Sequence, residues 1–149
     1  MSELRELYQQ LIIDHGRHPR NFGCLDDANL TKEGYNPLCG DRLTLYVLEE
    51  NGVIKDIKFD GEGCAISMAS ASLMSGSIKG RSILEINSFF EEFHKLVTGE
   101  GKPSLDSDLG KLAVLGGVAE YPSRVKCATL CWHTLIAALQ DNDEVVSTE

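Results

Sequence analysis

A two-residue alternation that runs from Arg42 to Phe59, interrupted once by Asn51-Gly52, constrains this chain more than any other feature. Leu43, Leu45 and Val47 fall on one side and Arg42, Thr44 and Tyr46 on the other, the period of a strand with one face buried. Asn51-Gly52 supplies two residues that tolerate positive φ, as a tight hairpin turn requires, and Val53, Ile57 and Phe59 resume the alternation beyond it. An antiparallel hairpin follows. Gly61-Glu62-Gly63 breaks the pattern, and Cys64-Ala65-Ile66 is expected to add a short third strand.

On either side of the hairpin the period becomes helical. Leu4, Tyr8, Leu11 and Ile12 predict an amphipathic helix from residue 3 to about 15, ending near Gly16. His15 and His18 stand in the turn that follows; two histidines suggest metal, but their simplest role is to cap the helix end and hydrogen-bond the adjoining loop. A second helix, Ser67 to about Ile78, is rich in serine and alanine and lets another element approach closely. Ser82-Ile83-Leu84-Glu85 has capping-box form ahead of the stripe Ile83, Ile86, Phe90, Phe93 and Val97, with His94 beside it at the surface. After the Gly99–Pro103 connection, Asp108 is placed to cap a short helix through Val114. A last helix from about Lys126 presents Ala128, Cys131, Trp132, Leu135 and Leu139 on one face. Strands first and helices afterwards point to an α+β fold, a small antiparallel sheet of about three strands with helices packed on one face. The 149 residues make a single domain, 1–149, in which residues from about 80 to 120 form an extra helical segment and 141–149 a frayed tail.

Five cysteines at wide, uneven spacing fit poorly with a disulfide framework, so metal binding or thiol chemistry in a reducing, cytoplasmic setting is expected. The Met1–Glu6 start has early acidic residues and no unbroken apolar run, unlike a signal peptide or a membrane span. A net charge of -9 argues against nucleic acid and against an anionic membrane surface as partners. Any one cysteine is most simply a small buried hydrophobe. Placement separates three of them: Cys39, two residues before Asp41, and Cys64 and Cys127, each just ahead of an expected helix, all lie at junctions and off the apolar stripes. Helix N-termini favour thiolate, and three thiolates with the Asp41 carboxylate would suit a soft or borderline metal. Cys131 could reach the same ion from one helical turn away, yet its stripe position favours the buried reading, and Cys24 is read as an incidental loop thiol.

Three motifs carry a family resemblance: Asn36-Pro37-Leu38-Cys39-Gly40-Asp41, Gly61-Glu62-Gly63-Cys64-Ala65-Ile66-Ser67-Met68-Ala69-Ser70 and Arg124-Val125-Lys126-Cys127. They resemble the cysteine motifs of the IscU/NifU-type iron–sulfur assembly proteins, and Ile13-Asp14-His15 with Pro19-Arg20-Asn21 is similar to that family's N-terminal segment. Within the family the chain looks closer to the SufU branch. Its interval between Cys64 and Cys127 resembles the longer SufU spacing, and Lys126 stands where IscU proteins carry a histidine before the third cysteine. The IscU chaperone-binding Leu-Pro-Pro-Val-Lys is replaced by Tyr121-Pro122-Ser123-Arg124-Val125-Lys126, which puts a dedicated chaperone partner in doubt.

The resemblance implies zinc held by Cys39, Asp41, Cys64 and Cys127, with Cys39 as the mobile thiol that accepts persulfide sulfur from a SufS-type cysteine desulfurase and passes it to a downstream iron–sulfur scaffold. In SufU-type exchange a desulfurase histidine takes the position that Cys39 vacates. Gly40 beside Cys39 frees that loop, whereas Cys64 and Cys127 are expected to be anchored to helices. Arg124 and Lys126 either orient the donor or simply solubilise the loop. The alternative is a scaffold holding a transient [2Fe–2S] cluster on the same thiolates with Asp41 as fourth ligand. A purely structural zinc site is a third reading, and zinc hydrolysis the least suited, since three thiolates and a carboxylate leave the ion electron-rich.

Overall fold

The computed structural model describes residues 2–36, 40–98, 112, 115, 122–140 and 146–147. Three antiparallel strands, β1 (Leu30–Asn36), β2 (Asp41–Glu50) and β3 (Val53–Glu62), form the sheet, and β4 (Val146–Ser147) pairs in parallel with β1, giving the order β3-β2-β1-β4. Four helices are seen among the described residues: α1 (Ser2–Arg17), α2 (Ala65–Ile78), α3 (Ile83–Thr98) and α4 (Pro122–Leu139). The expected α+β arrangement is present. β1 and β2 each bury alternate residues and leave the others toward solvent, so the helices cover one face of the sheet.

The hairpin lies where the alternation puts it, with Leu45 opposite Phe59, Val47 opposite Ile57, and positive φ at Asn51 (55°) and Gly52 (78°). One detail departs from the expected register. A bulge between Leu48 and Glu49 reverses the phase of β3, so Ile54 rather than Val53 joins Ile57 and Phe59 in the core. The third strand is also not where the alternation suggested: Cys64 caps α2, whose helix begins at Ala65, and the third antiparallel strand is β1. Its inward residues are Lys32, Gly34 and Asn36, so it has no apolar alternation to read. Gly34 makes room for α4; a Cβ there would collide with the hydroxyl of Thr134.

Small side chains bury α2 on nearly every side, among them Ser67, Ala69, Ser70, Ala71 and Ser72. Hydrogen bonds take up the hydroxyls. Ser70 donates to the Ala128 carbonyl of α4 at 2.6 Å, and Ser72 Oγ meets His15 Nδ1 of α1 at 2.7 Å. His15 therefore has a structural role, clasping α2. Arg20 N–H donates to Ser72 Oγ at 2.8 Å and Asn21 Nδ2 to Ser75 Oγ at 3.0 Å, fastening the segment after α1 to the same helix.

The capping box of α3 is formed, with Ser82 N–H donating to Glu85 Oε1 (3.3 Å) and Glu85 N–H to Ser82 Oγ (3.2 Å). Its buried stripe is Ile86, Phe89, Phe93, Leu96 and Val97, with Phe90 half-buried and His94 exposed. Phe89, Phe90 and Phe93 stack against Trp132 of α4. α4 begins at Pro122, four residues before the expected start; proline suits the first helical position because its missing N–H has no partner there anyway. Leu112 and Leu115 are buried in the core, while the expected Asp108 cap lies outside the described residues. Within the tail, Val146 and Ser147 are paired with β1 rather than frayed.

Candidate metal centre

Asn36 and Asp41 face each other as the last pair of the β1–β2 ladder, at the end of the sheet beneath the N-terminal turns of α2 and α4. Asp41 opens β2 and is fully buried on the helix-facing side. One carboxylate oxygen, Oδ1, accepts the backbone N–H of Cys64 at 2.9 Å. The other, Oδ2, lies 4.0 Å from Cys64 Sγ and accepts from Asn36 Nδ2 at 3.4 Å. The absence of a side chain on Gly63 permits this approach, since a Cβ would stand 2.7 Å from Asp41 Oδ1.

Cys64 caps α2, its half-buried sulfur accepting the Ser67 N–H at 3.4 Å, so the positive end of that helix faces the thiol as expected. Cys127 differs from expectation. Because α4 starts at Pro122, this residue sits inside the helix, in its second turn, and its thiol donates to the Ser123 carbonyl one turn back at 3.6 Å. It is fully buried, yet beside polar groups: Asn36 Nδ2 donates toward its sulfur at 3.7 Å.

One ligand atom from each of Asp41, Cys64 and Cys127 lies within 4.8 Å of the others. Two sulfurs bound tetrahedrally to zinc at ~2.3 Å are ~3.8 Å apart, so side-chain adjustments of about an ångström close this set around an ion. Two thiolates and a carboxylate suit zinc or ferrous iron and disfavour magnesium or calcium. Cys39, the fourth expected ligand, lies outside the described residues; in the sequence it is two residues from Asp41.

Arg124, on the exposed side of α4, is held more firmly protonated than a free guanidinium, foremost by the charge of Cys64 and then by Cys127, so it faces the sulfurs. Lys126 is half-buried on the same helix turn. Cys131 is sealed in the core and burial pushes its thiol up to about 12, which makes it a packing residue. Cys24 is exposed and away from this group; its one S–H proton has two acceptors in reach, Tyr46 Oη (3.6 Å) and Asp60 Oδ2 (3.5 Å). Asn36 and Gly63 are site residues to which the sequence attaches no role. Both lie inside the cysteine motifs, but a carboxamide and a glycine announce nothing about metals until distances are known.

No helix among the described residues is long and apolar enough to cross a membrane. The family model for the NifU-like N-terminal domain matches residues 7–128. The zinc-dependent sulfurtransferase SufU of Bacillus subtilis (strain 168) is 44% identical over 135 residues, covering 90% of each chain. The iron–sulfur cluster assembly scaffold protein IscU of Thermotoga maritima is 44% identical over 137 residues, covering 90% of this chain and 93% of that one. Among solved structures, FiSufU of Fervidobacterium islandicum AW-1, a proposed SUF-system iron–sulfur cluster assembly scaffold, superposes with a TM-score of 0.81 at 36% identity, covering 87% of this chain and 94% of that one. With its fold and its sequence both matching, the chain belongs to the NifU-like N-terminal domain family.

Proposed function

We propose that this protein works in iron–sulfur cluster assembly as a zinc-dependent sulfur acceptor, taking persulfide sulfur from a SufS-type cysteine desulfurase and passing it to a cluster scaffold. The convergence of the Asp41, Cys64 and Cys127 ligand atoms carries the reading. The 44% identity to a zinc-dependent sulfurtransferase supports it. Cys39 completes the ligand set, and the whole chain acts as one unit. Free thiols at Cys24, Cys64 and Cys131 suit a reducing, cytoplasmic setting.

Zinc, when bound, would hold the three thiols as thiolates and exchange ligands readily. The residues supply the rest. Cys39 thiolate attacks the outer sulfur of the donor persulfide; the donor's S–S bond breaks, a new one forms at Cys39, and the donor cysteine leaves as thiolate, with no net oxidation. Asp41, tied to the Cys64 backbone, and Cys127, set within α4, remain in place. Arg124 beside the sulfurs offers a positive charge to the incoming persulfide.

A scaffold function, with a transient [2Fe–2S] cluster on the same ligands, is the second reading, favoured by the equal identity to an IscU scaffold. Lys126 in place of histidine counts against it, since a protonated amine has no lone pair for iron. Incubation with a cysteine desulfurase and cysteine, followed by peptide mass mapping, separates the roles. Cys39→Ala retains some zinc but accepts no sulfur, whereas Asp41→Ala chiefly loses zinc. Sulfur acceptance at the normal rate by Cys39→Ala contradicts the assignment. A stable visible spectrum after anaerobic reconstitution with iron and sulfide favours the scaffold.

A further inference from the structure

Asn36 is a fully buried carboxamide at the end of β1, and its Nδ2 group points at two members of the proposed ligand set, Asp41 Oδ2 at 3.4 Å and Cys127 Sγ at 3.7 Å. An amide nitrogen carries two hydrogens, so both contacts are served at once. Burying a carboxamide beside an anionic group is favourable because the hydrogen bonds to charged acceptors are stronger than neutral ones. Cys64 has a comparable donor in the Ser67 N–H at 3.4 Å. Both sulfurs that the structure describes at the site thus accept an N–H from the fold.

We propose that Asn36 is a positioning residue that marks Cys127 as a retained ligand: its N–H draws electron density from that sulfur and lowers its nucleophilicity, leaving sulfur acceptance to the thiol on the β1–β2 connection. This rests on the metal and sulfur-acceptor reading above. Hydrogen bonds to metal-bound sulfur tune its electron density, as they do in iron–sulfur centres. Cys64 takes its donor from the backbone of α2, which no side-chain substitution removes, whereas the Asn36 donor at Cys127 is removed by a single substitution.

The test is cobalt(II) substitution of the wild type and of Asn36→Leu, a side chain of similar volume without a donor. Asn36→Ala, which only removes atoms, serves where leucine is not accommodated. In the variant the thiolate-to-cobalt charge-transfer bands move to longer wavelength while the d–d bands keep the intensity of a tetrahedral site. After reaction with a desulfurase, peptide mapping finds a share of the persulfide relocated from Cys39 to Cys127. A merely structural role would weaken the d–d bands and reduce total sulfur uptake without moving it. Charge-transfer bands unchanged in a variant with intact d–d bands, and persulfide still confined to Cys39, overturn the inference alone. A wild type without thiolate–cobalt bands overturns the metal reading and this inference with it.

Discussion

The Cys64 backbone N–H donates to the Asp41 carboxylate at 2.9 Å, which locks the first residue of β2 to the cap of α2. The bond fixes the orientation of the carboxylate: with Oδ1 occupied by the backbone, Oδ2 is turned toward the Cys64 sulfur and the Asn36 amide. The site is thereby shaped by backbone before any metal is added, which reduces the ordering cost of binding.

Gly63→Ala tests this preorganisation. The new Cβ would stand 2.7 Å from Asp41 Oδ1, so the carboxylate has to move. Zinc affinity should fall by about 10–100-fold, as losses of outer-shell support generally produce. Chelator competition measures it, with circular dichroism confirming an unchanged fold. An unaltered affinity would mean that the carboxylate orientation does not matter.

Packing of α4 on the sheet depends on Gly34. Alanine there drives a methyl into Thr134 and close to Leu130, so urea denaturation should show a loss of about 1–3 kcal/mol, the usual range for overpacking. Adding Thr134→Ala should recover part of it. A Gly34→Ala protein as stable as the wild type would contradict the close approach.

Cys131 connects stability to alkaline pH. Burial raises its thiol to about 12, well above the ordinary cysteine value near 9, so the unfolded chain releases this proton first. The contribution is complete below about 9, the unfolded value, and declines as pH rises toward the folded one. The stability gap between wild type and Cys131→Ala should therefore narrow from pH 8 to pH 10.5 in urea titrations. A gap that stays constant would show that the thiol does not titrate differently in the two states.

The hairpin was legible in the sequence because its core face is apolar and its turn needs residues that accept positive φ. β1 was not, because Lys32, Gly34 and Asn36 point inward for reasons of packing and site chemistry rather than hydrophobicity. The bulge at Leu48/Glu49 leaves no mark on residue type, so the shift to Ile54 needed coordinates. Asp41, Cys64 and Cys127 could be chosen in advance because few residue types bind metal. Asn36 and Gly63 could not, since the first acts by where its N–H points and the second by the atoms it lacks. Cys127 was picked out as a candidate ligand but set ahead of its helix, because Pro122, Ser123 and Arg124 at the start of α4 carry no apolar stripe.

Zinc K-edge X-ray absorption on the purified, zinc-loaded protein tests the central claim most directly. The account predicts one zinc per chain with three sulfurs at ~2.3 Å and one oxygen at ~2.0 Å, falling to two sulfurs in Cys39→Ala. A shell of nitrogen and oxygen without sulfur, or a sulfur count that Cys39→Ala leaves unchanged, would contradict it.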